Sequence, residues 1–283
     1  MISKFLNRKG ASAPFFIIAL LCCAQLNAQS LKKQLAKGNV MLCAHRGGMY
    51  NAYAENSLKT LEYLEASVMP APVMAEVDVR KSKDGTLFIL HDNTLERTTT
   101  GTGMIEESSD EYLRTLKLRD GNGEVLNETI PTFDESLEFV AKHKIYLMLD
   151  VKIDDWKTIL DLVKEKKVLD KCMVLTFKPE NSKKVHLASP DVLISCLVRN
   201  REDWDAIQRT IPTKNMMAYI GKSTPDDVLN DMRKEHVFLV TDASEATTNS
   251  GILYPVEFYR QVIGRGVNVY VTDLPRELHT LLK

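Results

Sequence analysis

The sequence lacks a charge excess: 37 Lys and Arg stand against 38 Asp and Glu in 283 residues. Neither a basic field able to recruit nucleic acid nor an acidic tail exists. Long apolar runs are also scarce. The N-terminal FFIIALLCCA at 15–24 is about half of the roughly 20 residues that a membrane-spanning helix needs. Five cysteines are present; Cys22 and Cys23 fall in that run, leaving Cys43, Cys172 and Cys196 at irregular spacing. An odd, irregular set is no disulfide framework, and within apolar runs these residues read as buried thiols. Internal repeats and low-complexity linkers are absent, as are the Gly-x-Ser-x-Gly, Cys-x-x-Cys and His-Glu-x-x-His spacings. Together these absences argue against a multi-span membrane protein, a disulfide scaffold, a serine hydrolase elbow and a zinc site.

The first 28 residues have the layout of a secretory signal. Lys4, Arg8 and Lys9 precede the apolar core, and Leu26-Asn27-Ala28 places a small residue ahead of Gln29. Cleavage there removes three bases and no acid, leaving 34 bases against 38 acids over residues 29–283. The expectation is an exported chain, periplasmic or secreted, with a single domain at 29–283 and no stable membrane span after cleavage.

Short apolar runs alternate with polar helical stretches. Strand candidates lie at 40–44, 73–79, 87–90, 145–151, 172–177, 192–198, 216–220, 237–241 and 267–272. Helix candidates lie at 57–66, 154–167, 203–210, 225–234, 255–264 and 275–283, three of them opening on Pro. Continuously apolar strands alternating with helices imply a parallel sheet covered on both faces. About eight such units in this length match a TIM (β/α)8 barrel, and no Gly-x-Gly-x-x-Gly turn supports the doubly wound alternative. A polar stretch rich in Gly, Thr and Glu at about 97–128 reads as a small insertion after the second strand region.

Ionisable residues concentrate at the predicted strand ends. His45-Arg46-Gly47 follows the first strand; Arg offers a forked donor for phosphate or carboxylate, although an ordinary polar loop has the same composition. In Glu76-Val77-Asp78, period two puts both acids on one face. If that face is inward, the like charges need a cation between them or a proton on one; if it is an exposed edge, both are solvated. Asp84-Gly85 reads as a hairpin turn setting His91-Asp92 at the next strand end. Asp150-Val151-Lys152 supplies either a third acid and a point charge or an internal salt bridge. The inventory of two histidines, three acids, an Arg and a Lys points to metal-assisted phosphoester cleavage. Hard oxygen ligands suit Mg²⁺ or Ca²⁺. His143, His186, His236 and His279 lie on polar stretches and read as solvated, while Trp156 and Trp204 read as packing residues.

In order along the chain come His45-Arg46-Gly47, Glu55-Asn56-Ser57, Glu76-Val77-Asp78, Asp84-Gly85 and His91-Asp92. Leu95-Glu96-Arg97-Thr98-Thr99, Gly101-Thr102-Gly103, Ile130-Pro131-Thr132 and Thr272-Asp273-Leu274-Pro275 follow. As an ordered set this resembles the glycerophosphodiester phosphodiesterase family over about residues 40–280. The resemblance implies a TIM barrel, a divalent Ca²⁺ or Mg²⁺, and hydrolysis of a small glycerophosphodiester to glycerol 3-phosphate and an alcohol. It implies His45 and His91 as the acid–base pair, Glu76, Asp78 and Asp150 as metal ligands, and Arg46 and Lys152 as phosphate contacts. It also implies that the insertion caps the site. Three departures stand out: Ala54 and Ser57 replace the family's Pro and Thr, Asp150 stands where Glu is usual, and 237–241 lacks the Trp-Thr pattern. Two alternatives share the chemistry: a phospholipase C/D-like enzyme acting on intact lipid, and a catalytically inactive barrel binding glycerophosphate.

Overall fold

Inward positions along the strands repeat every second residue, and methionine fills many of them. Met41, Cys43, Met74, Met148, Met173 and Met217 form one buried cluster with Val240, Val269 and Val271. Unbranched thioethers adapt to the tapering interior of a small barrel. Alternate residues, including Val77, Leu147, Leu149, Val174, Ile194 and Ala218, point outward into a second, larger cluster shared with the surrounding helices.

The computed structural model describes residues 30–48, 52–242 and 253–283. The expected signal peptide lies outside them. Eight strands, β1 Met41–Ala44, β2 Val73–Lys81, β4 Ile145–Val151, β5 Cys172–Thr176, β6 Leu193–Val198, β7 Met216–Ile220, β8 Phe238–Asp242 and β9 Val269–Thr272, pair in parallel and in that order. Pairing of β1 with both β2 and β9 closes the ring, making a TIM barrel. The extra strand, β3 Leu87–Ile89, pairs antiparallel with β2 outside the ring, turned back at Asp84-Gly85 as expected.

Each barrel strand is followed by a helix: α2 Leu58–Val68, α4 Phe133–Lys142, α5 Trp156–Glu165, α6 Pro179–Ala188, α7 Arg201–Gln208, α8 Asp226–Lys234, α9 Val256–Gly264 and α10 Pro275–Leu281. Ser57 caps α2 by accepting the Thr60 N–H, and Thr132 with Glu135 forms a capping box on α4. Pro225 and Pro255, expected inside their helices, sit instead at the N-cap. Trp156 and Trp204 are buried in the helical shell as expected. The short α1, Leu31–Leu35, sends Leu31 and Leu35 into the inner cluster. Lys32 Nζ anchors it by donating to Lys214 O and Asn215 Oδ1, ahead of β7. This plugs the N-terminal end of the barrel and leaves the C-terminal end for ligands.

The excursion leaves the barrel wall after Lys81, earlier than 97–128, because 87–89 turns back rather than joining the ring. It has its own small core of Phe88, Leu90, Leu95, Ile105, Leu113, Leu116, Leu118 and Ile130, with α3 Asp110–Thr115 inside it. Among the described residues, no helix is long and apolar enough to cross a membrane. Cys43, Cys172 and Cys196 are buried free thiols.

Candidate active site

Glu76 and Asp78 alternate with Val77 on β2, so both carboxylates face the barrel axis while Val77 faces the helices. They are 3% and 0% exposed, which removes the solvated-edge reading. Strand register places Asp150 of β4 directly beside Asp78. One oxygen from each of the three lies within 4.8 Å of the others.

Each buried acid is held. Glu76 Oε2 accepts the backbone N–H of Arg46 at 2.8 Å. Asp78 Oδ2 accepts Asn56 Nδ2–H at 2.8 Å, and the Asp78 N–H returns to Asn56 Oδ1 at 3.2 Å. Lys152 Nζ donates to Asp150 Oδ2 at 2.6 Å and lies 3.0 Å from Asp78 Oδ1. That Asp78 oxygen is buried and has this charge contact but no hydrogen bond. Burial, and then the charge of Asp78, push the Glu76 carboxyl up to about 8, with His45 acting the other way. Three adjacent acids in a low-dielectric site are too much negative charge for one ammonium to balance, so a proton stays on the cluster unless a further cation arrives. The donors are all hard oxygens, and one buried oxygen lacks a hydrogen bond. This set fits a divalent cation of the Mg²⁺ or Ca²⁺ type.

The loops that carry these contacts adopt unusual backbone conformations. Arg46 (φ 52°) and Asn56 (φ 55°) are both left-handed, and the Asn56 N–H donates to Arg46 O at 2.9 Å. Asn tolerates this region; Arg does so less readily, and here the turn aims its N–H at Glu76. Gly47 follows at φ 85°, where an added Cβ would meet Thr60 Cγ2 at 2.9 Å. Glycine is required at that point.

Both expected histidines reach the same mouth, each oriented by a carboxylate through Nδ1. His45 Nδ1 is 2.8 Å from Asp273 Oδ1, beyond the end of β9, and His91 Nδ1 is 2.7 Å from Asp92 Oδ1. Burial works against a proton on His45. The hydrogen bond to Asp273 and the charges of Glu76 and Asp273 outweigh it, raising the ring to about 9. His91 Nε2 lies 2.8 Å from Arg46 Nη2. Since guanidinium only donates, Nε2 must accept, and the proton of neutral His91 belongs on Nδ1. Hydrogen bonds from Arg97, followed by one from His91, hold Asp92 far below the ordinary carboxylate range.

The seven residues singled out in the sequence thus converge on one end of the barrel. Lys152 rests against two acids rather than standing free in the mouth. Asn56, Asp273, Glu55 and Arg97 were visible only as motif letters; their roles depend on partners 5 to 228 positions away. His143, expected to be solvated, is only partly exposed. It stacks on Phe139 with centroids 3.8 Å apart, and its Nδ1 is 2.6 Å from Glu65. Beyond 237–241, where the Trp-Thr pattern is missing, Asp242 ends β8 and interacts with Tyr219 of the neighbouring β7. Phe177 stands tilted to Tyr219 at 6.4 Å.

The model of the glycerophosphoryl diester phosphodiesterase family matches residues 45–271. The chain belongs to that family. Glycerophosphodiester phosphodiesterase 1 of Bos taurus is 29% identical over 173 residues, covering 58% of this chain and 50% of the relative. The chain spans about half the length, or less, of the mammalian relatives it matches. Among solved structures, a glycerophosphoryl diester phosphodiesterase from Parabacteroides distasonis superposes with a TM-score of 0.77 at 24% identity, covering 90% of this chain and 92% of its own. A phosphodiesterase of Oleispira antarctica, solved with the product sn-glycerol-3-phosphate, has a TM-score of 0.65 at 17% identity, with 88% and 98% covered. Both likenesses show the barrel fold.

Proposed function

We propose that the protein is a metal-dependent phosphodiesterase that hydrolyses small glycerophosphodiesters to glycerol 3-phosphate and an alcohol. The observation that carries this reading is the placement of a three-carboxylate cluster and two carboxylate-oriented histidines at one barrel mouth, with Arg46 touching both groups. The family membership and the product bound to the Oleispira antarctica relative support the substrate class.

Glu76, Asp78 and Asp150 would hold the divalent cation. Bound there, it would neutralise the phosphate and stabilise the charge developing on its oxygens. Arg46 would contact the same phosphate, and Lys152 would join it on release from the acids it rests against. His91, with its proton on Nδ1 and its lone pair on Nε2, accepts the proton of the attacking hydroxyl. That nucleophile is water, or the neighbouring glycerol hydroxyl by way of a cyclic phosphate. The new P–O bond forms as the P–O bond to the alcohol breaks. His45, held in its protonated form by Asp273, returns a proton to the departing oxygen. Arg46 is drawn from His91 toward phosphate as substrate enters, freeing Nε2.

Export after cleavage of residues 1–28, and a single domain at 29–283, belong to the same proposal; the N-terminal sequence of the secreted chain tests them. A panel of glycerophosphodiesters assayed with Ca²⁺, Mg²⁺ and chelator tests the reaction. Release of glycerol 3-phosphate that stops with chelator is expected. Turnover of intact phospholipid alone would move the assignment to the phospholipase class, and binding without turnover to an inactive barrel.

A further inference from the structure

Five side chains from three segments form a closed ring around the mouth. Arg97 Nε and Nη2 contact Asp92 Oδ2 and Oδ1 at 2.5 and 3.0 Å. Its Nη1 and Nη2 donate to Glu55 Oε2 and Oε1 at 2.7 and 2.8 Å. Asp92 Oδ1 takes the His91 Nδ1 proton, and His91 Nε2 faces Arg46 Nη2. The ring closes where Arg46 Nη1 lies 3.5 Å from Glu55 Oε1.

We propose that Arg97 is a positioning residue for the reaction: one guanidinium grips both carboxylates that orient the His91 ring and the Arg46 fork. Arg97 touches neither group itself. Its planar fork forms four contacts to two acids, which the single point charge of Lys cannot reproduce. Asp92 alone, free to swing away from the ring, would hold the His91 tautomer only part of the time. Gripped from behind, it becomes a rigid backstop, and Glu55 does the same for Arg46. Because Arg97 lies within the excursion that leaves the barrel after β2, the ring also ties the position of that excursion to the geometry of the two groups.

A purely structural role predicts something different. The Arg97 side chain is 47% exposed, and ion pairs at such sites contribute little to stability. Removing it should therefore spare the fold and reduce the rate. This proposal rests on His91 acting in catalysis, so its test includes a measurement that needs no turnover.

The variants are Arg97→Ala, Arg97→Lys and Arg97→Ala combined with Glu55→Gln, in the full-length protein. For Arg97→Ala, kcat on a glycerophosphodiester should fall by about 10- to 100-fold, the usual loss when an orienting partner is removed. The melting temperature should drop by no more than about 3 °C. Lys should restore little, and added guanidinium ion should restore part of kcat where methylammonium does not. The double variant should be no slower than Arg97→Ala. In ¹⁵N NMR, His91 should show protonated Nδ1 and bare Nε2 in the wild type and a mixture of tautomers in Arg97→Ala. Wild-type kcat with an unchanged His91 spectrum would overturn the proposal. So would a rate loss that tracks unfolding and ignores guanidinium. If the wild type turns over no diester, the reaction assignment fails, and the His91 spectra still decide the role of Arg97.

Discussion

Lowering the pH should weaken cation binding steeply, because the cluster must release a proton to receive the ion. Burial first, and the neighbouring Asp78 charge second, raise Glu76 to about 8 in the absence of a cation. Below that value the carboxyl is mostly protonated and a divalent ion competes with the proton. One proton per ion approaches about a tenfold loss of affinity per pH unit below that value, or about 50-fold between pH 8 and pH 6. Each decade corresponds to about 1.4 kcal/mol. His45, held protonated by Asp273 and the cluster acids, adds in the same direction, since a cation on Glu76 repels its charge. Isothermal titration with Ca²⁺ or Mg²⁺ in two buffers of different ionisation enthalpy reads both quantities. At pH 7, release of at least about one proton per ion is expected. Glu76→Gln should bind more weakly and lose most of the pH slope. Affinity that is flat from pH 6 to pH 8, with no protons released, would refute the picture of a proton-holding carboxylate cluster.

The metal-free protein should lose stability as pH rises from about 5 to 9: Glu76 and His45 both bind protons more tightly folded than unfolded, so their contributions are complete below their unfolded values and are lost as pH passes through about 8 and 9. Melting curves across that range check the sign, and saturating Mg²⁺ or Ca²⁺ should flatten the trend. Asn56→Ala should reduce cation affinity or turnover by about 10- to 100-fold, because Asp78 loses both of its fixing hydrogen bonds; titration and kcat measure it. Gly47→Ala should destabilise by about 1–3 kcal/mol in urea unfolding, through its left-handed backbone and the 2.9 Å approach to Thr60.

What the sequence made legible follows from short-range periodicity. Glu76 and Asp78 share a face because side chains alternate along a strand; that the face is inward rather than a solvated edge took the burial of both acids to decide. The hairpin at Asp84-Gly85 was readable from turn chemistry, but its destination was not: 87–89 looks like any barrel strand until its pairing partner is known. Helices α4 and α6 were both absent from the expected set; on α6 only Ser182 and Val185 are buried, too few for an apolar stripe, whereas α4 buries Phe133, Leu137 and Val140. The ring of Arg97, Asp92, His91, Arg46 and Glu55 joins residues up to 45 positions apart. Asp273 reaches His45 across 228. Such pairings are set by barrel closure and leave no periodic trace, so family motifs marked these residues without saying what they touch.

The central claim is that one carboxylate cluster and two oriented histidines cleave a phosphodiester together. The most direct measurement is kcat/KM for glycerol 3-phosphate release by the wild type, Asp78→Asn, His45→Ala and His91→Ala, each with Ca²⁺, Mg²⁺ and chelator. Metal-dependent turnover by the wild type, abolished by chelator and falling by at least about 100-fold in every variant, is the predicted result. Wild-type rates in the two histidine variants, or turnover indifferent to chelator, would contradict it.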